Sequence, residues 1–259
     1  KQHEEAETAF SAVARLRPND LQAYLNLAIC TMELRRPEQA FAAISRVEEL
    51  AKQPDAALLH QIGNIYRGLG RHLVAEDYYR RALEQRPQAA EIWYALGDVL
   101  AQAGDHEAAL EALKKALGLG FDVTAVKLRM ARALTSRGAL EEAKALLAEA
   151  YDSAGDTAGF LVKIAEEYTL IGDFPAQERC LNRVLELQPQ NVAAFAGLAL
   201  APGRKLTEAD AARLRRMSDD RTIDPEIRVN IGFALGNYHR HAKEYDDSFR
   251  YYRLGNRLK

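Results

Sequence analysis

The chain has 259 residues, of which 48% are hydrophobic and 28% are charged, a composition ordinary for globular proteins. Its formal net charge of −2 argues against a nucleic-acid partner, because nucleic-acid-binding proteins are normally basic. No apolar run approaches the roughly 18 residues that a membrane-spanning helix requires, so we expect no membrane partner either.

Residues 1–20 carry the pattern of one amphipathic helix. Ala6, Phe10 and Val13 recur at helical spacing, and Pro18 follows them. The segments that follow contain pairs of such helices, so we expect residues 1–20 to supply only the second helix of a partial first repeat. Because the chain begins with half a hairpin and with Lys rather than Met, we expect it to be part of a longer protein.

Residues 21–191 predict five complete helical hairpins in constant register. The most regular copy runs from Ala90 to Val123, where Gly104 is expected to end the first helix. Because antiparallel helices approach closely only where side chains are small, Gly97 and Ala109 should lie at the crossing. First helices are expected to start at positions 21, 56, 90, 124, 158 and 192, a spacing of 34 or 35 residues.

Trp93, Leu96 and Gly97 stand at W-x-x-L-G spacing, and Ala109 and Leu113 share one face of the next helix. This pattern resembles the tetratricopeptide repeat (TPR), a helix–turn–helix unit of 34 residues. The resemblance covers nearly the whole chain and implies an all-α, right-handed superhelical solenoid of tandem helix–turn–helix units. It also implies a non-catalytic scaffold that binds a protein or peptide on a concave surface.

The repeat pattern weakens after position 191. In residues 192–224, a degenerate repeat begins, but Pro202 and Gly203 stop its first helix early. Thr207 is a candidate N-cap for the next helix, and a connector rich in Asp follows it. Residues 225–259 predict a C-terminal TPR-like hairpin that leads to a missing downstream domain.

The last hairpin carries a narrower resemblance. It contains Phe233-Ala234-Leu235-Gly236, then Tyr245-Asp246, and ends in Gly255-Asn256-Arg257-Leu258-Lys259. These segments look like the region that joins the repeats to the catalytic domain in bacterial TPR-containing sulfotransferases. The sequence departs from that family in having Lys243-Glu244 where Gly-Asp is usual.

This resemblance implies a parent enzyme that transfers a sulfuryl group from the donor PAPS, with its donor-phosphate loop beyond Lys259. The present chain would then be the repeat scaffold, and the downstream catalytic domain would be its partner in cis. The alternative is a stand-alone TPR adaptor in a bacterial assembly, secretion or polysaccharide-export system.

We find no residue constellation for catalysis, a cofactor or a metal. His239 and His241 lie two residues apart on a helix and point to different faces, so we interpret them as solvated or interface histidines. Gly203-Arg204-Lys205 lacks the preceding glycine and the following Ser or Thr of a phosphate loop, and is interpreted as a helix-breaking turn. Cys30 and Cys180 are interpreted as small packing residues, which favours a reducing, cytoplasmic location.

The concave groove is therefore the candidate site. Within each first helix, the residues one and five positions after the Trp93 column should point into it. With Arg67 from the same helix as His60 and Asn64, the predicted set is Leu25, Ile29, His60, Asn64, Arg67, Tyr94, Asp98, Leu128, Arg132, Val162 and Glu166. Tyr94 is the expected anchor for an extended peptide or partner helix. We also expect that reversing the charge of Asp98, together with Tyr94→Ala, leaves folding intact and weakens the binding of any peptide ligand.

Overall fold

The structure, a computed structural model, describes residues 2–258. Lys1 and Lys259, the outer ends of the predicted segments 1–20 and 225–259, lie outside the described residues. The described chain forms fifteen α-helices and no β-strand. In chain order the helices are α1 (Gln2–Leu16), α2 (Leu21–Glu33), α3 (Pro37–Leu50), α4 (Ala56–Gly68), α5 (His72–Gln85), α6 (Ala90–Ala103), α7 (His106–Gly118), α8 (Val123–Arg137), α9 (Leu140–Ala154), α10 (Ala158–Leu170), α11 (Phe174–Leu187), α12 (Val192–Ala199), α13 (Glu208–Asp219), α14 (Pro225–His241) and α15 (Tyr245–Leu258).

The predicted all-α fold of tandem hairpins is confirmed. The first helices of successive hairpins begin at residues 21, 56, 90, 123, 158 and 192, within one residue of the predicted positions. Over residues 2–258, no helix is both long and apolar enough to pass through a bilayer.

The chain divides into two compact units, and the boundary along the sequence falls between Gly138 and Ala139. Unit 1 contains α1–α8, and unit 2 contains α9–α15. Gly138 has a φ of +85° and caps α8 in the left-handed conformation. Each unit contains its own hydrophobic core.

Unit 1 packs its hairpins through small residues opposite large ones. A Cβ added to Gly97 would lie 2.6 Å from Leu113 Cγ and 3.2 Å from Ala109 O, so α6 and α7 cross where predicted. In the preceding hairpin, a Cβ on Gly63 would lie 2.6 Å from Tyr79 Cε1, because the Tyr79 ring fills that space. The resulting core removes apolar side chains from water, which is the main source of stability in such repeats.

Unit 2 departs from the regular repeat at α12. Pro202 and Gly203 follow this helix, which has only eight residues against fourteen in α6. Thr207 then starts α13 with a capping box, since its hydroxyl accepts from Asp210 N and Asp210 accepts from Thr207 N. The predicted cap is confirmed.

The last hairpin, α14–α15, is held together by close backbone approach. A Cβ on Gly232 would lie 3.0 Å from the backbone nitrogen of Gly255, leaving no room for a larger residue. Ile231 and Leu235, on the same helix, are fully buried in a core that also contains Phe195 and Leu214. This core joins α12, α13 and α14 into one packed body.

Candidate peptide-binding surface

The first helices of unit 1, α2, α4, α6 and α8, pack side by side. We call the surface that they share the first-helix face; it carries Arg67, Tyr94, Asp98 and Arg129. Three of these helices begin at an aspartate whose carboxylate accepts a backbone N–H three residues later: Asp20, Asp55 and Asp122. These caps fix where each helix starts, and therefore which side chains reach the shared face.

Asp98 on α6 forms the centre of the first-helix face. Its side chain is buried, its Oδ2 accepts two hydrogen bonds, and its Oδ1 forms an ion pair. Arg67 Nη1 on α4 lies 3.1 Å from Oδ2, and Arg129 Nε on α8 lies 3.2 Å from Oδ1. Gln102, one turn along α6, donates to Oδ2 at 3.1 Å. One carboxylate thus joins three consecutive first helices.

Tyr94 lies one turn before Asp98 and is half-buried. Its ring stacks on Phe121 with centroids 4.6 Å apart, and its hydroxyl accepts a hydrogen bond from Arg129 Nε at 3.2 Å. One ring face is therefore covered by the protein, and the hydroxyl orients the same guanidinium that contacts Asp98.

His60 and Asn64 lie on α4 beside the buried Tyr79. The Tyr79 hydroxyl donates to Asn64 Oδ1 at 2.8 Å, and the His60 ring centroid lies 5.8 Å from that of Tyr79. Burial lowers the pKa of His60; Glu91 opposes this shift, and Arg67 adds to it. Burial also raises the pKa of Tyr79 to about 12, so its hydroxyl stays protonated and available as a donor near neutral pH.

The remaining members of the predicted set differ in exposure. Leu25 is 1% exposed and Leu128 is 7% exposed, so both fill the core of unit 1. Ile29 is exposed at 37%, and Arg132 is also exposed. In unit 2, Val162 is half-buried and Glu166 is exposed on α10.

The structure brings together three predicted residues, Arg67, Tyr94 and Asp98, and adds Arg129, which the spacing rule omitted. Arg129 occupies the column of Ala95, one position beyond the Tyr94 column. A long side chain in that column can reach the neighbouring helix, whereas Ala95 cannot. The sequence signal that could have identified Arg129 is the change from alanine at position 95 to arginine at the equivalent position of the next repeat.

One expectation about Asp98 is wrong. The expectation that reversing its charge leaves folding intact requires a solvent-facing position, which Asp98 does not have. Asp98 is only 5% exposed and pairs with two arginines, so a lysine there would bury a third positive charge.

The interpretation of His239 as a solvated or interface histidine is also wrong. His239 is 5% exposed, its ring stacks on Tyr251 with centroids 5.2 Å apart, and Nδ1 lies 2.6 Å from Glu244 Oε2. Packing of α15 against α14 buries it, an effect that spacing within one helix does not reveal. His241 is exposed, and its Nδ1 contacts Asn237 O.

One group of potential metal ligands occurs among residues 2–258. Donor atoms of His239, Glu244 and Asp247 lie within 4.8 Å of one another. Glu244 and Asp247 are exposed at the start of α15, where carboxylates also complement the positive end of the helix dipole. The dipole accounts for these acids without a metal.

Comparison with known sequences identifies the family. A profile described as "Tetratricopeptide repeat" matches residues 2–57 and 60–120, and a second profile of the same description matches residues 100–160. Together they cover more than half of the chain, which therefore belongs to the tetratricopeptide-repeat family. Members of this class are scaffolds that bind protein or peptide partners on their stacked repeats.

One curated relative is the human protein O-mannosyl-transferase TMTC1, which is 25% identical over 147 residues. The aligned part is 57% of this chain but only 17% of the length of that relative. Likeness over so small a part of the relative supports the repeats and does not transfer its activity.

Solved structures share the fold, and two of them illustrate the likeness. Yeast Tom70 has a TM-score of 0.69 at 15% identity, covering 99% of this chain and 55% of Tom70. A tetratricopeptide repeat protein from Parabacteroides merdae has a TM-score of 0.62 at 14% identity, covering 98% of this chain and 92% of that one. At such identities the likeness concerns the fold alone.

Proposed function

We propose that the first-helix face of unit 1 binds an extended peptide segment of a partner protein, with Arg67 and Arg129 as its main donors. The observation that carries the proposal is the pairing of both arginines with the single buried carboxylate of Asp98. A guanidinium presents five N–H donors in a rigid fork, and the Arg67 side chain remains 34% exposed while Nη1 contacts Asp98.

Holding the arginines in place favours binding. Ordering a long side chain on association costs about 0.5–1.5 kcal/mol, and a side chain already held by a buried carboxylate loses less freedom. The forked N–H donors of Arg67 and Arg129 suit a segment with an acidic side chain or a free carboxylate. Tyr94 supplies an aromatic contact beside them, as the sequence predicts.

The test is to select binders for the whole chain from a displayed random peptide library and to measure their affinity by isothermal titration calorimetry. We expect the selected peptides to be acidic, and Arg67→Gln to weaken binding by about tenfold, as expected for losing one charge-assisted hydrogen bond. The matched control is Arg80→Gln on α5, because Arg80 is exposed and pairs with Glu76 of its own helix.

Selected peptides that bind Arg67→Gln and the unaltered chain equally well would overturn the proposal. Equal losses in Arg67→Gln and Arg80→Gln would point to a general charge effect and would also contradict it. Circular dichroism of each variant separates lost binding from lost folding.

We further propose that the chain is the repeat region of a sulfotransferase-family protein. The support is the resemblance of the last hairpin, from Phe233-Ala234-Leu235-Gly236 to its Gly255-Asn256 ending. The test is to sequence the parent gene beyond the codon for Lys259. A strand followed by a Pro-Arg-Ser-Gly-Thr loop supports this proposal, and a stop codon or an unrelated domain favours the stand-alone adaptor.

A reducing, cytoplasmic location is part of the same proposal. Cys30 and Cys180 are both buried as free thiols, and burial raises the pKa of Cys180 to about 11. A thiol with so high a pKa forms little thiolate near neutral pH and is poorly reactive.

A further inference from the structure

A cavity of about 770 Å³ lies in unit 2, between the loop that follows α12 and the last turn of α14. Its volume is within the range of small-molecule sites, about 300–1,000 Å³. The loop of residues 200–206 replaces the turns that α12 lacks, and Gly203, with a φ of +80°, lets the chain reverse there. We call this space the α12–α14 cavity.

The polar side chains of the α12–α14 cavity are mainly basic. Arg204 and Lys205 come from the loop, Arg240 and His241 come from the end of α14, and no aspartate or glutamate is among the residues that line it. Within residues 2–258, the side chains of Arg204, Lys205 and Arg240 form no hydrogen bond or ion pair. Three cations therefore border one concavity that has no carboxylate among its lining residues to neutralise them.

The negative ends of two helix dipoles offset only part of this positive charge. α12 and α14 both end at the cavity, and each carboxyl end carries roughly half a negative charge, or about −1 in total. Arg204, Lys205 and Arg240 supply three positive charges, so a surplus of about two remains. A concave, partly apolar wall concentrates such a potential.

The nearby carboxylate of Glu208 does not cancel the surplus. Glu208 Oε1 lies 2.7 Å from Arg215 Nη1, and Oε2 accepts a hydrogen bond from the Tyr238 hydroxyl at 2.5 Å. The negative charge of Glu208 is thus neutralised by Arg215, which does not line the cavity. The Tyr238 hydroxyl is engaged in this bond, and Tyr238 also lines the cavity.

We propose that the α12–α14 cavity binds a small organic phosphate. A phosphate monoester carries close to two negative charges near neutral pH, which matches the surplus, and its oxygens suit the forked donors of Arg204 and Arg240. Leu200, Pro202 and Leu206 line the same cavity and would contact the organic part of the ligand. This site is separate from the first-helix face and does not depend on the peptide proposal.

The probe is 2-naphthyl phosphate, with neutral 2-naphthol as its matched control, titrated into the whole chain and followed by calorimetry. We expect 2-naphthyl phosphate to bind at least tenfold more tightly than 2-naphthol, with an affinity that falls as salt rises. The double variant Arg204→Gln with Arg240→Gln should weaken phosphate binding by at least tenfold.

The matched control is Arg250→Gln with Arg253→Gln, two exposed arginines of α15 that do not line the cavity. The single change Lys205→Gln, in the loop and outside every helix, gives a second test should the Arg240 change unfold the end of α14. Equal binding of naphthol and naphthyl phosphate, or equal loss in cavity and control variants, would overturn the proposal.

Discussion

Gly97 and Gly118 lie in successive helices of one hairpin, yet the space around them differs. A Cβ on Gly97 would meet Leu113 Cγ at 2.6 Å, whereas a Cβ on Gly118 would meet nothing within 4 Å. A methyl group at Gly97 must therefore push α6 and α7 apart, while one at Gly118 occupies open space.

We expect Gly97→Ala to destabilise the protein by about 1–3 kcal/mol through overpacking. Gly118→Ala should be neutral or stabilise by up to about 1 kcal/mol, because alanine restricts the unfolded chain. Urea denaturation followed by circular dichroism measures both free energies. Equal effects of the two changes would contradict the crossing at Gly97.

His60 gives the stability of unit 1 a pH dependence. Burial, the main cause, lowers the pKa of His60 in the folded state, so the unfolded chain binds the proton more tightly. The contribution is therefore complete above the unfolded pKa of about 6.5 and is lost as pH falls through the lower folded pKa.

We expect the melting temperature to fall between pH 7.5 and pH 5.5, and His60→Gln to reduce that fall. His3→Gln is the control, since His3 is exposed on α1. The comparison requires thermal melts of three proteins at each pH. A pH dependence that persists unchanged in His60→Gln would exclude this histidine as its source.

Among the helices, α13 depends most clearly on its first turn, because Thr207 and Asp210 satisfy each other's backbone N–H groups. Thr207→Ala removes one of these bonds, and we expect a loss of about 1 kcal/mol. Thr8→Ala is the matched control, because the Thr8 hydroxyl donates only to Glu4 O within α1. Urea denaturation distinguishes the two, and equal losses would count against the capping box.

The boundaries of the helices were predictable from sequence because each repeat meets the same packing requirement. Five of the six predicted first-helix starts agree with the structure, and the start of α8 differs by one residue. At that helix the cap is Asp122, whose carboxylate accepts from Ala125 N and begins the helix one residue early. At α8 the local N-cap, rather than the 34-residue period, therefore determines the first residue of the helix.

The candidate site was less predictable, because exposure depends on which neighbour a side chain reaches. Leu128 stands in the same column as Tyr94, yet it fills the core, and Arg129 beside it contacts Asp98. The α12–α14 cavity could not be derived from spacing at all, since it depends on the path of the loop after Pro202. The repeat spacing predicts which face of a helix a residue lies on. It does not predict the path of a loop or which neighbour a long side chain reaches.

At the scale of the molecule, repeat proteins owe their stability to contacts between neighbouring helices, so a local defect should stay local. The two units of this chain have separate cores, one built around Ile44, Leu59 and Ile62 and the other around Leu214 and Ile231.

We expect Gly97→Ala to raise amide hydrogen exchange in α6 and α7 while leaving α15 unchanged. The reciprocal change, Gly232→Ala, should raise exchange in α14 and α15 and leave α6 unchanged, because its Cβ would meet the Gly255 backbone. Mass spectrometry of peptic fragments reads each helix separately. Faster exchange throughout the chain in either variant would show that the whole protein unfolds as one cooperative unit.

The early end of α12 has a consequence for engineering. Residues 202–205 are exposed and lie outside every helix, while the α12, α13 and α14 core is built from other residues. Exposed loop positions of this kind tolerate substitution and insertion far better than helical ones. The loop can therefore be randomised as a small library, and ligand preference can be selected there while the repeat framework stays constant.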